Sequence, residues 1–255
     1  MGAINEFTAV MENEFRIISR EPGGLALLVI LPYFVAGGTA VIASFLASVN
    51  RYRFAEQFIG FEVVMLSIIM MQTGARFLRE ERNGGRLEYL LASPTNMFVI
   101  LFGTSLVMAS SIVAAFTVSL MPIAYGVYGI QGMMRALASI VLLLIGLMPL
   151  YGLGLALSGL VLRFRDSDSL MGLITSAASL LSGATYPIQA LPLWLGFLVR
   201  VLPMHALDDA LYYELIGYLN ATHVAYLVLA SAVYLSLGAY LYGRLQKSLL
   251  RKGIV

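Results

Sequence analysis

The chain has 255 residues, a net charge of +2, 60% hydrophobic residues and only 12% charged ones. A water-soluble domain of this size carries about a quarter charged residues, so half that density and a mean hydropathy of +0.86 exclude a soluble globular protein and leave a chain solvated largely by lipid. The absence of cysteine excludes disulfides, thiolate chemistry and Cys-ligated metal.

In the first segment, residues 1–23, Phe7, Val10, Met11, Phe15 and Ile18 recur at spacings of three and four, with Glu6, Glu12, Glu14, Arg16 and Arg20 elsewhere on the wheel. That pattern predicts an amphipathic helix lying in the cytoplasmic membrane interface. A generic juxtamembrane anchor is the competing reading. Four acids before residue 24 argue against a cleavable signal peptide. Pro22-Gly23-Gly24 then breaks the helix and turns the chain into the membrane.

Residues 24–255 divide by charge into membrane spans, each needing about 20 apolar residues. Spans are predicted over residues 24–48, 57–75, 97–121, 136–162, 169–185 and 222–242, with a Gly-rich loop after Pro122. Between the last two lies the segment 186–221, where Pro187, Pro192 and Pro203 forbid one straight helix. It predicts short helices dipping into the outer face. The fold class expected is an all-α membrane protein of six transmembrane helices. To these it adds the interface helix, a short cytoplasmic helix (the coupling helix of the resemblance given below) and the short re-entrant outer helices.

Basic residues set the orientation. With the N terminus inside, twelve Lys and Arg fall on inner segments and four (Arg51, Arg53, Arg135 and Arg200) outside. A multi-pass protein of the cell membrane with both termini cytoplasmic is therefore expected.

The inner stretch of residues 76–96 is exceptional. Seven charged residues fall between Arg76 and Glu88, in a chain that elsewhere runs uncharged for dozens. A loop that only reverses direction needs about four polar residues. This one spends about twenty on a charged turn, Asn83-Gly84-Gly85, and a short amphipathic helix running from Arg86 towards Pro94. Apolar Leu anchors beside charges that give register suit docking of a soluble partner.

The stretch "EERNGGRLEYLLASP" resembles the signature of the ABC-2 type permeases, the membrane subunits of one class of ATP-driven exporters. The pattern falls on Glu81, Arg82, Gly85, Leu87, Glu88, Leu90, Leu91 and Pro94, and departs from it at Gly84 and Arg86. A second region, residues 182–213, is similar to the same family at Ser182-Gly183, Tyr186-Pro187, Leu191-Pro192, Trp194-Leu195, Leu202-Pro203, Ala206 and Asp208. Tyr212 departs from it, where Arg is frequent, while "REPGGLALLVILP" resembles the start of the family's first span. The resemblance implies two permeases paired in the membrane, identical or related, each docked to a separate ABC ATPase that binds ATP and Mg. It implies that the 76–96 loop couples the two subunits. It also implies that Tyr186, Pro187, Pro192, Trp194, Pro203 and Asp208 belong to an exit cap. Independently, the chain has no G-x-x-x-x-G-K-[ST] loop to cradle phosphates, so no nucleotide cofactor is expected on it, nor any catalytic site.

Other residues permit alternatives. Glu62, inside the second span, reads either as an interfacial acid snorkelling towards Arg53 or as a residue of the translocation path. His205 and His223, with Asp208-Asp209, lack enough converging ligands for a metal site. The sequon Asn220-Ala221-Thr222 abuts the last span too closely for ready glycosylation. Gly146, Gly152, Gly154 and Gly159 suit close helix packing. The function expected is export of an amphipathic, drug-like or lipid-linked substrate powered by the separate ATPase. An ATP-independent secondary transporter or channel is the alternative. It would carry inverted repeats and buried ion-coupling residues, and no clear repeat is visible.

Overall fold

The computed structural model describes residues 3–20, 22–44, 50–92, 96–164, 167–182 and 192–252, which are helical apart from short turns. Two helices flank the first bend, α1 (Ala3–Arg20) and α2 (Pro22–Ser44). The helices on either side of residue 21 are inclined by 70°. Along α1 the half-buried stripe is Phe7, Val10, Met11, Glu14 and Ile18. Phe15, expected in that stripe, is exposed instead. Phe7 stacks on Phe102, with ring centroids 6.0 Å apart. The stripe therefore rests on the chain's own bundle. α2 is apolar on every side, and Leu27, Ile30 and Phe34 stand exposed on a face that only hydrocarbon can solvate.

α3 (Arg51–Asn83) is 33 residues long, rising about 50 Å. Asn50 caps it, its side chain accepting from the Tyr52 amide at 3.0 Å. A turn leads to the six-residue α4 (Leu87–Ala92), and then to α5 (Met97–Arg163), 67 residues long. Left straight, α5 would reach about 100 Å, three times the hydrocarbon thickness. It reverses at Gly129, where φ is +67° and ψ −154°, a conformation that side chains with a Cβ avoid. Arms 97–128 and 130–163 then run antiparallel, which brings the rings of Phe102 and Tyr151 to 5.9 Å. The loop expected after Pro122 is accordingly helix up to Gly129. In lipid every backbone group must find a partner within the chain, which favours continuing a helix through a proline over opening a loop.

α6 (Ser167–Leu180) has 14 residues, rising about 21 Å, too few to cross alone. The last three residues of the fifth expected span, 183–185, lie outside the described residues. α7 (Leu193–Val201) and α8 (Pro203–Ile216) are the short helices expected of the proline-broken segment, with Pro203 at the first position of α8. α9 (Ala221–Lys252) closes the chain. Among the described residues α3, α5 and α9 are long and apolar enough to cross a membrane, and the bent pair α1–α2 makes a fourth candidate.

The second arm of α5 is the hub. A Cβ added to Gly238 of α9 would collide with the Gly152 carbonyl, so the two helices cross backbone to backbone. Ser231 of α9 donates to the Ile145 carbonyl at 3.0 Å beside that crossing. On other faces Gly154 meets Met71 of α3 and Gly146 meets Leu207 of α8. The two ends of the bundle differ sharply. One gathers the starts of α3 and α9, the turn at Gly129, α7 and α8. The other holds α1, the end of α3, α4 and the C-terminal ends of α5 and α9.

Candidate functional site

The charged turn between α3 and α5 sits at this second end. Gly84 caps α3, its amide donating to the Glu80 carbonyl at 2.9 Å. Gly85 follows with φ +67°, so the second glycine of the pair is a conformational requirement of the turn. Arg86 then forms a bidentate pair with Glu81 at 2.9 and 3.1 Å. Arg86 is exposed and Glu81 half-buried, and the Glu81 hydrogen bonds raise the Arg86 pKa above its ordinary value.

Arg82 faces inward. Its guanidinium donates to the carbonyls of Phe164, at 2.9 Å, and Val161. These are terminal carbonyls of α5, left without helical partners, and a cation there also meets the negative end of the helix dipole. One side chain thus ties the turn to the end of the hub helix.

On α4, Leu87 belongs to the hydrophobic core, and Leu90 and Leu91 pack against it. This corrects the expectation that the leucines face outward as anchors for a partner. A six-residue helix cannot hold itself, so its apolar face is spent on the chain's own bundle. What it presents outward is Glu88 and Tyr89, the latter 80% exposed. Tyr89 escaped the sequence reading because an aromatic between leucines looks like part of the apolar stripe. Its place on a helical wheel, one position after Glu88 and two after Leu87, is the signal that separates it. Pro94 lies outside the described residues.

At the opposite end, Tyr186 and Pro187 likewise lie outside the described residues. Pro192 is the N-cap of α7 and exposed, as are Leu193, Trp194 and Phe197. Pro203 is buried and Asp208 half-buried on α8, near Glu56 of α3. Two tyrosines missed in the sequence hold this arrangement. Tyr226 and Tyr234 of α9 donate to the carbonyls of Arg200 and Val201, the latter at 2.8 Å, and so satisfy the C-terminal end of α7. His223 stacks on Tyr213 at 4.3 Å and lies 3.8 Å from Asp209.

Glu62 does not snorkel. It is fully buried, with Ser119 of α5 donating to one carboxyl oxygen, while Tyr33 of α2 donates to the Ser119 carbonyl. Lying 11 residues into α3, it sits about 16 Å from that helix's start, too deep for a short side chain to reach the interface. Its other carboxyl oxygen has no partner among the described residues.

The family model of the ABC-2 type transporters matches residues 5–215, from α1 through nearly all of α8. The chain belongs to the ABC-2 type transporter family. No curated protein matches it. The ABC-2 family is a family of membrane transport components, so the permease chain is a non-catalytic part of a transporter. Its apolar helices make it a multi-pass membrane protein. All three stretches singled out by resemblance fall within the matched range.

Proposed function

We propose that this ABC-2 permease exports an amphipathic, drug-like or lipid-linked molecule, powered by ATP and Mg held on a separate ABC ATPase. The observation that carries the reading is the outward face of α4. Glu88 and Tyr89 project from a helix whose leucines are locked to the bundle, and the preceding turn is clasped to the end of α5 through Arg82. A partner that moved this face would move α3 and the hub arm with it. In this reading six spans cross the membrane, the basic end faces the cytoplasm and two permeases pair. α7 and α8, with Pro192, Trp194, Pro203 and Asp208, cover the exit on the outer side.

A buried aromatic contact and a desolvated charge at an interface are each worth about 2 kcal/mol or more on truncation or reversal. Tyr89→Ala and Glu88→Lys are therefore expected to lower recovery of the complex with the ATPase at least tenfold, with substrate-stimulated hydrolysis lost and the permease still folded in the membrane. A solvated-loop role would leave both measurements at wild-type level, and that outcome would end the coupling reading.

A further inference from the structure

A cleft of about 460 Å³ lies where α1, α2, α3 and the first arm of α5 meet, and no residue of α4 lines it. That volume suits a small amphiphile. One part of its wall is apolar, from Leu25, Leu28, Ile69, Phe77 and Met108. Another is polar, from Glu14 on α1 and Arg76 and Glu80 at the C-terminal end of α3.

The remaining polar groups narrow the ligand. The hydroxyls of Thr73, Thr104 and Ser111 line the cleft, and each donates its only hydrogen to a carbonyl of its own helix, at 2.8, 3.1 and 3.1 Å. What they turn to a ligand is lone pairs. Together with the two carboxylates, the wall offers acceptors and negative charge, and Arg76 alone offers a charged donor. Glu14 and Glu80 are also close enough to repel one another, and Glu14 is half-buried. A bound cation would relieve both costs.

We propose that this cleft binds the ammonium head of an amphiphile through Glu14 and Glu80, with its chain against Leu28, Ile69 and Met108. The proposal rests on the export reading and assigns the chemical class of molecule taken up at the basic end of the bundle. A free alkylamine and the ammonium of an ethanolamine phospholipid share this chemistry.

The test uses the full-length permease alone, in nanodiscs of phosphatidylcholine, and measures binding of radiolabelled dodecylamine. Saturable binding is expected. The pair Glu14→Gln and Glu80→Gln should weaken it at least tenfold, and Met108→Trp, which fills the cleft and keeps both carboxylates, should abolish it in a protein of unchanged thermal stability. Arg76→Ala should leave it intact or tighten it. Displacement by added phosphatidylethanolamine would identify a membrane lipid as the source, and its failure a free amphiphilic amine; either supports the ammonium site. Binding that ignores the carboxylates and Met108→Trp, or stronger binding of dodecyl sulfate than of dodecylamine, overturns it. Glu88→Lys separates the two readings. It should abolish ATPase stimulation while leaving dodecylamine binding unchanged, so a coupling failure cannot be mistaken for a failure of the cleft.

Discussion

Arg82 shows how far one side chain's role depends on its surroundings. Within the charged turn it reads as one of several residues for a partner to grip, yet its guanidinium is committed to the carbonyls of Val161 and Phe164. Hydrogen bonds from a charged donor contribute about 1.5–3 kcal/mol each when desolvated. Here both carbonyls lie near the solvated end and can recover water. Arg82→Ala is therefore expected to cost about 1–2 kcal/mol in thermal unfolding of the detergent-solubilised permease. It should preserve recovery of the ATPase complex while reducing stimulated hydrolysis, because the docking face survives and its clasp to α5 is lost. Loss of complex recovery equal to that of Glu88→Lys would return Arg82 to the docking surface. Glu62 teaches the same lesson in reverse. An acid within a span can be read from sequence as snorkelling or as part of the translocation path, and the structure places it in a buried junction of α2, α3 and α5.

At the scale of the element, the crossing of α5 and α9 dominates. The Gly152 and Gly238 backbones touch, and a single Cβ at either would have to displace a helix. Gly238→Ala and Gly152→Ala should each destabilise by about 1–3 kcal/mol, as overpacking does. The double substitution should cost clearly less than the sum, since one separation of the helices makes room for both methyls. Gly172→Ala on α6, where a Cβ meets open space, should be neutral or slightly stabilising. Thermal unfolding of the four variants checks this, and strict additivity of the two crossing substitutions would contradict backbone contact as the cause. The glycines of the fourth expected span were legible as packing residues, because small residues in a membrane helix have few other uses. Which helix each one meets was not, since a glycine carries no mark of its partner.

The whole molecule separates its charges by end. Arg76 to Arg86, Arg163, Arg244 and Lys247 fall at the end that holds α1 and α4, whereas Arg51, Arg53 and Arg135 lie with the Gly129 turn and α8. Positive charge is retained on the cytoplasmic side during insertion. In this Cys-free chain, Arg86→Cys is therefore expected to react with a membrane-impermeant thiol reagent only after cells are permeabilised, and Gln131→Cys in intact cells. Labelling of position 86 from outside would invert the topology. The apolar faces left open on α2, α7 and α9 are those that lipid or a second permease would cover.

Sequence alone determined the class of solvent, the helical architecture, the amphipathic α1, the breaks at Pro22 and Pro203, and the stretches that mark an ABC-2 permease. Each of these is a local property. Charge density sets what can surround the chain, periodicity sets which face of a helix is apolar, and proline or glycine sets where a helix stops. Tertiary structure decided what local pattern leaves open. It folded 67 helical residues back at Gly129, turned the α4 leucines inward and Tyr89 outward, and took Arg82 from the docking surface to cap α5. It also sank Glu62 into the bundle and set Glu14 opposite Glu80 across a cleft. The physical reason is common to all five. In a chain this apolar, a leucine gains about as much from lipid or a partner as from its own core, and a charge can be satisfied by several distant groups. Only the packing of helices far apart in sequence chooses among those equivalents.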